Sequence, residues 1–298
     1  MSVRVVVVTY NSGAHLERFL DSLAGAGAAA PIPVTIVDNG SVDGAPEAVA
    51  DRAGVTVVHS GANLGYGGAA NLGVRGATED WVVVANPDLQ FLPGAMDALV
   101  RAADRWPRAG ALGPQIHTED GLLYPSSRAI PSVGRGVGHA LFGWIWPSNP
   151  WTKAYRRETG SPVEGVTGWL SGSCLFLRRE AFDAVGGFDE GFFMYFEDLD
   201  LCERIGRAGW DVVYAPEAVV VHVGGHSTDA HRDLMSRAHH RSAYRYLSSR
   251  YAGLRYAPLR LVLRAGLWGR YQVSRVVTRV SAGAMPTRSA RRPESPPT

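Results

Sequence analysis

A chain of 298 residues that is 46% hydrophobic and 19% charged can bury one large core or two smaller ones, and has the balance of a soluble globular protein. Two cysteines, Cys174 and Cys202, are too few for a disulfide scaffold and lack metal-site spacing, which points to a reducing compartment. No uninterrupted apolar run approaches the ~20 residues of a spanning helix, and the net charge of +2 hides 12 arginines against the single acid Glu294 from Arg241 onward.

The opening MSVRVVVVTYN has no cleavage-site pattern, and its β-branched run Val3–Val8 predicts a strand buried on both faces. Leu16, Phe19, Leu20 and Leu23 then recur at helical spacing, with Ser12 as N-cap and Gly25 and Gly27 as stops. The alternation continues through strand Val34–Val37, a helix near Ala45–Arg52, strand Val55–His59, helix Gly67–Gly76, strand Trp81–Ala85 and helix Gly94–Ala103. Such an order predicts an α/β fold of right-handed βαβ units around a mostly parallel sheet. From Ala109 the rhythm loosens. AGALGPQI and TGWLSGSCLFLRR read as strands, joined by a long irregular segment rich in Trp, Pro and Gly. A helix at Asp198–Ala208, strand segments Asp211–Tyr214 and Ala218–His222, and helices near Ala230–Arg250 and Leu259–Val280 complete the pattern. Residues 283–298, with four prolines and three arginines, are expected to be disordered. The expected division is therefore a domain over 1–228, a helical region over 229–282 and a tail over 283–298.

Ligands of open α/β sheets sit beyond the carboxyl ends of the strands. Four successive strands end there in polar loops: Thr9, Tyr10 and Asn11; Asp38 and Asn39; Asn63, Gly65 and Gly67; Asn86 and Asp88. Any one such loop can be a turn, but four on one edge point to a site. A carboxylate at Asp38 can accept hydrogen bonds from a nucleobase imide or a ribose hydroxyl. The glycines of GANLGYGGAAN have neither P-loop order nor the position of a dinucleotide fingerprint, and permit close backbone approach without demanding it. Asp88 suits a hard divalent cation shared with phosphate oxygens, with Asn86 as a neutral contact. His222 ends an apolar strand and His226 lies just beyond; either can complete that cation's shell.

GFFMYFEDLD sets three carboxylates, Glu197, Asp198 and Asp200, directly after aromatic residues. On a helix starting near Glu197, Asp198 shares a face with Leu201, Cys202 and Ile205 and is expected to point inward. Glu197 and Asp200 are expected to project elsewhere, and Asp200–Arg204 and Glu203–Arg207 have ion-pair spacing. An ionised carboxylate at a helix start, near other acids, suits a general base.

Taken in order, VTYN, VDNGSVDG, NLGYGGAAN, NPD and GGFDEGFFMYFEDLDLCERI resemble the inverting family 2 glycosyltransferases with the GT-A fold. RWPRAGALGP, GWLSGSCLFLRR and HSTDAH extend the resemblance to the rhamnosyltransferases of mycobacterial-type cell-wall linker assembly. The resemblance implies transfer of L-rhamnose from a dTDP-sugar donor to the N-acetylglucosamine of a polyprenyl-diphosphate-linked acceptor, with Mg²⁺ or Mn²⁺. It implies that Thr9, Tyr10, Asn11, Asp38, Asn63 and Asn86 bind the nucleotide-sugar. It likewise places Asp88 and His222 on the metal, Ser171, Gly172, Ser173 and Glu197 on the acceptor side, and Asp198 as the base. Many relatives carry Asp-x-Asp where this chain has Asn86-Pro87-Asp88, one carboxylate fewer.

The arginine-rich end fits an anionic membrane surface, which with the resemblance implies a cytoplasmic protein peripheral at the inner face of the plasma membrane. On a helical projection Arg260, Arg264, Arg270, Arg275 and Arg279 share roughly half the circumference with Leu267, Trp268 and Tyr271. Val262, Ala265, Val273, Val276 and Val280 are expected to pack inward. Galactofuranosyl or mannosyl donors are the alternative within the family. A non-catalytic membrane-docking or nucleic-acid-binding protein is the alternative outside it; no nucleic-acid-binding motif is present.

Overall fold

The β-branched runs become the centre of a sheet covered on both sides. In the computed structural model, which describes residues 1–27, 31–131, 162–223 and 232–283, β1 (Val3–Thr9), β2 (Val34–Asp38), β3 (Val55–His59) and β4 (Trp81–Ala85) are all parallel, in the order β3-β2-β1-β4. Successive β1 side chains alternate between two cores, as a period of two requires. Val5 and Val7 pack with Leu16 and Phe19 of α1 (His15–Gly25) and with Met96 and Leu99 of α4 (Ala95–Arg105). Val6 and Val8 pack with Ala69 and Ala70 of α3 (Gly65–Val74) and with Leu201 and Ile205 of α6 (Glu197–Arg207). The helix expected over Ala45–Arg52 is only a turn, α2 (Ala45–Ala48), and Ser12 binds Thr9 by its side chain rather than capping α1.

Beyond β4 the directions mix. The order continues β4-β11-β6-β12-β5, with β5 (Leu89–Phe91), β6 (Ala109–Thr118), β11 (Cys174–Arg178) and β12 (Asp211–His222). β11 is antiparallel to both neighbours, β12 is parallel to β6, and β5 is antiparallel to β12. Short strands β7 (Leu123–Tyr124) and β9 (Gly165–Val166) pair with β6 and β12, while β8 (Ser127–Arg128) and β10 (Trp169–Leu170) form a separate ribbon. α5 (Arg179–Ala184) follows β11. The two strand segments expected over 211–222 are one strand, whose register shifts between Ala215 and Val219. Pro216 lies inside that shift and has no N–H to give the ladder.

These reversals bring distant loops to one edge. Because β11 runs against β4, its first residue Cys174 lies beside Ala85, the last of β4. Because β5 runs against β12, Leu89 lies beside His222.

Contacts divide the chain into units Met1–His231 and Arg232–Thr298. In the second, α7 (Arg232–Arg250) packs on α8 (Ala257–Gly283), with His240 and Tyr271 rings 5.7 Å apart. The half-buried stripe of α8 is Leu259, Leu263, Leu267 and Tyr271. Val262 and Ala265 are exposed, contrary to the expectation that they pack inward; Val262, Leu261 and Trp268 are 68%, 69% and 64% exposed. The side chains of Val273, Val276 and Val280, and the tail after Gly283, lie outside the described residues. Arg260 turns back on the elbow between the helices, its Nη1 donating to the carbonyls of Tyr251, Ala252 and Gly253 at 2.7, 2.9 and 2.9 Å. It therefore works as a clamp. Among the described residues no helix is long and apolar enough to cross a membrane.

Candidate functional site

The loops after β1 and β2 are tied to each other. Asn39 donates its backbone N–H to Thr9 O at 2.8 Å, Asn11 Oδ1 accepts from Val42 N–H, and Asn11 N–H donates to Ser41 Oγ. Thr9 is buried, its hydroxyl against that of Ser12, whereas Tyr10 and Asn11 are exposed. Asp38 is 4% exposed, and Ser41 N–H and His59 Nδ1 lie 2.9 and 3.1 Å from its two oxygens. Burial alone would raise this carboxyl. The bonds from Ser41 and the neighbouring His59 more than offset it, so the group titrates below the usual range.

Asn39 organises the next loop. Its side chain donates to Asn63 Oδ1 and Gly65 O and accepts from Leu64 N–H. The glycine-rich start of α3 packs against the chain leading into α6. Tyr66 N–H donates to Phe193 O at 3.0 Å, and a Cβ on Gly65, whose φ is +76°, would stand 2.2 Å from that oxygen. Asn71 holds Phe188 by both backbone groups at 2.9 Å. Close backbone approach at the glycines therefore serves the aromatic segment.

At the head of α6 the carboxylates differ. Asp198 accepts from Gly172 N–H and from Leu199 N–H, each at 2.8 Å. Gly172 packs closely on the helix: an added Cβ would meet Asp198 Cβ at 3.1 Å, so a side chain there would have to push Asp198 aside by a few tenths of an ångström. The Tyr66 hydroxyl donates to Gly172 O, joining α3 to the same network. Asp200 and Arg204 form the expected ion pair at 2.7 Å, as do Glu203 and Arg207. Glu197 departs from expectation: it does not project away but is buried at 6% exposure. The helix is entered through Tyr195 and Phe196, at φ +67° and +70°, and with Asn11 these are the only non-glycine residues at positive φ among the described residues. Glu197 stands at that sharp entry, so its neighbours come from outside the helix, where periodicity does not reach. Burial first, then the charge of Asp198, pushes its carboxyl up to about 8. Burial also raises Asp198, opposed by Gly172 N–H, Leu199 N–H and the Arg128 charge. The Tyr66 phenol is raised first by burial and then by the negative potential of Glu197, Cys174, Asp198 and Asp88.

The strand reversals supply the remaining parts. Asn86 N–H donates to Ser173 O at 2.9 Å, setting the β4 loop against Ser171, Gly172 and Ser173, all buried. Asp88 Oδ1 lies 3.1 Å from His222 Nε2. His222 packs edge-on to Tyr124 beside a cavity of about 700 Å³ that Thr118, Glu119 and Asp120 also line. One carboxylate and one imidazole meeting at a strand edge are the side-chain types that can contribute two ligands to a divalent cation. Among the described residues no group of three or more His, Cys, Asp and Glu converges as a cation site. His226 lies outside the described residues.

Three residues escape sequence reasoning: Asn39 as an organiser, Tyr66, and Arg128, stacked on Trp169 and Tyr124 at 5.2 and 5.9 Å. Only Asn39, beside Asp38 at a strand end, carried a local signal.

The family model described as Glycosyl transferase family 2 matches residues 4–186, and one described as Glycosyl transferase family group 2 matches 153–287. An N-acetylglucosaminyl-diphospho-decaprenol L-rhamnosyltransferase of Mycobacterium tuberculosis is 52% identical over 275 residues, 88% of this chain and 89% of that protein. Rhamnosyltransferase WbbL of Escherichia coli is 27% identical over 63% of this chain and 72% of its own length. The crystal structure of GalNAc-T7 with UDP, GalNAc and Mn²⁺ matches with a TM-score of 0.55 at 16% identity, covering 74% of this chain and 44% of that one, a likeness of fold alone.

Proposed function

Because the chain belongs to glycosyl transferase family 2, we propose that it transfers L-rhamnose from dTDP-L-rhamnose to the N-acetylglucosamine of a polyprenyl-diphosphate-linked acceptor, with inversion. The carrying observation is that one strand edge brings together Asp198, bonded to Gly172 N–H, and Asp88 with His222, the two loops being joined by Asn86 N–H donating to Ser173 O. The name of the M. tuberculosis relative supports the choice of sugar and acceptor.

In this reading Asp198 takes the proton from an acceptor hydroxyl while that oxygen attacks C1 of the rhamnosyl group. The C1–O bond breaks from the opposite side, and its electron pair leaves on the diphosphate. Thr9, Tyr10, Asn11, Asp38, Asn63 and Asn86 hold the nucleotide-sugar. Ser171, Gly172, Ser173 and Glu197 face the acceptor. Asp88 and His222 would hold Mg²⁺ or Mn²⁺, which when bound neutralises charge on the departing dTDP. Residues 1–228 carry this chemistry. The helical region 229–282 associates with the inner face of the plasma membrane, presenting Leu261, Val262 and Trp268 among arginines.

Thermal-shift titration with dTDP-, UDP- and GDP-sugars, with and without Mn²⁺, tests the donor. A shift with dTDP-rhamnose alone is expected, and a shift only with another nucleotide-sugar overturns the assignment. Flotation with anionic vesicles tests the surface: Leu261→Ser with Trp268→Ser is expected to release the protein, and unchanged flotation removes this face from the role.

A further inference from the structure

Asp198 has a task in the transfer, yet Glu197 beside it is hidden more deeply. Glu197 is buried, and its Oε2 is shut from water with no hydrogen-bond partner. Asp198 by contrast accepts two backbone N–H groups at 2.8 Å, and Arg128 adds positive potential. A buried carboxylate oxygen without a donor has lost its hydration and gained nothing in return. Two adjacent buried charges also repel, and such a pair relieves the repulsion by keeping one proton. The donors decide where it sits. Charge settles on Asp198, which accepts from Gly172 and Leu199 N–H and feels Arg128. The proton settles on Glu197, whose Oε2 has no donor although its own backbone N–H reaches the carboxyl.

We propose that Glu197 and Asp198 hold one proton between them, carried by Glu197, so that Glu197 is a neutral acid positioning and tuning the charged base Asp198. The inference rests on reading Asp198 as the base. During transfer the acceptor O–H breaks, the Asp198 O–H forms, the acceptor oxygen bonds C1, and the C1–O electron pair departs with dTDP. Glu197 keeps its proton throughout, so the pair passes from one negative charge to none. An ionised Glu197 would set a second negative charge directly beside the base Asp198 and change its basicity. The titratable and charged groups facing it are Asp198 on α6, Tyr66 on α3 and Tyr195 on the entry segment, with Arg128 of the β8–β10 ribbon acting on Asp198. Burial and the Asp198 charge push the Glu197 carboxyl in the same direction, to about 8.

Glu197→Gln, an uncharged isostere of the protonated acid, tests this directly. The readout is the shape of the pH profile: the inflection near pH 8 in the parent's turnover should be absent from the variant, whatever the variant's rate at neutral pH. An inflection near pH 8 that persists unchanged in the variant would overturn the proposal. Stability gives a second readout. A carboxyl raised from its ordinary 4.5 to about 8 binds more protons folded than unfolded across that window, so stability falls as pH rises through it. The melting temperature of Glu197→Gln relative to the parent should therefore climb between those pH values; a constant or shrinking difference overturns the proposal. Infrared difference spectra of the parent supply a third, with a protonated-carboxyl band at neutral pH that is lost in alkali and absent from the variant. No such band sinks the proposal whether or not Asp198 is the base. Conversely, an active Asp198→Asn removes the base while leaving the band to be judged by itself.

Discussion

Asp38 and Glu197 are hidden to nearly the same degree, at 4% and 6% exposure, and their carboxyls move in opposite directions. At Asp38 the loop after β2 brings Ser41 N–H to one oxygen, and the paired strand β3 brings His59 Nδ1 to the other. At Glu197 the chain arrives through two left-handed residues, and Oε2 meets no donor. Burial thus fails to fix protonation by itself; the donors and charges that the surroundings deliver decide it. A strand end followed by a tight loop keeps a permanent charge. A helix start with a strained entry makes a place for a proton.

The contrast can be broken at several points. The largest effect is expected at Asp198→Asn, which should lower transfer by roughly 10²–10⁴-fold while leaving donor affinity in calorimetry nearly unchanged. Near-normal turnover would remove Asp198 from its role. Asp88→Ala comes next: donor titrations should lose their metal stimulation, and unchanged titrations would remove Asp88 from the metal. Asp38→Asn sharpens the comparison from the other side and should cost about 1–2 kcal/mol in urea unfolding at neutral pH. Because the Asp38 carboxyl is held below its ordinary 3.8, its contribution is present above that value and lost as pH falls through the folded-state value. The variant should therefore lose part of the acid-side decline, where Glu197→Gln loses the neutral-side one. Two variants with the same pH profile would erase the distinction. Tyr66→Phe is expected to be the mildest, costing about 1 kcal/mol, roughly fivefold in transfer rate, through the lost bond to Gly172 O. A change in donor affinity instead would place Tyr66 on the nucleotide side.

The parallel half of the fold was legible because its signals are local: apolar strands without alternation, a helical stripe at Leu16–Leu23, turn residues at each strand end. The reversal of β11 was not, since an apolar strand such as Cys174–Arg178 reads alike in either direction. The loops bearing Asn86 and Asp88 could be placed at an edge. That Ser173 and His222 would meet them depends on that reversal and on the β5–β12 pairing. Glu197 was misdirected for a different reason. A helical wheel ranks residues by neighbours within the helix, and the surroundings of Glu197 lie on Tyr66 and Tyr195. Tyr66 itself reaches Gly172 across 106 positions, a distance over which spacing says nothing.

The Arg260 clamp bears on how the two C-terminal helices can be dissected. Removing everything after Tyr256 would take away a basic helix and, with it, the guanidinium that gathers three successive carbonyls at the end of the preceding one. A truncated protein that lost vesicle binding would then report a frayed elbow as readily as a missing lipid contact. The elbow makes α7 and α8 a single mechanical part, and the lipid question has to be put to side chains that leave it closed.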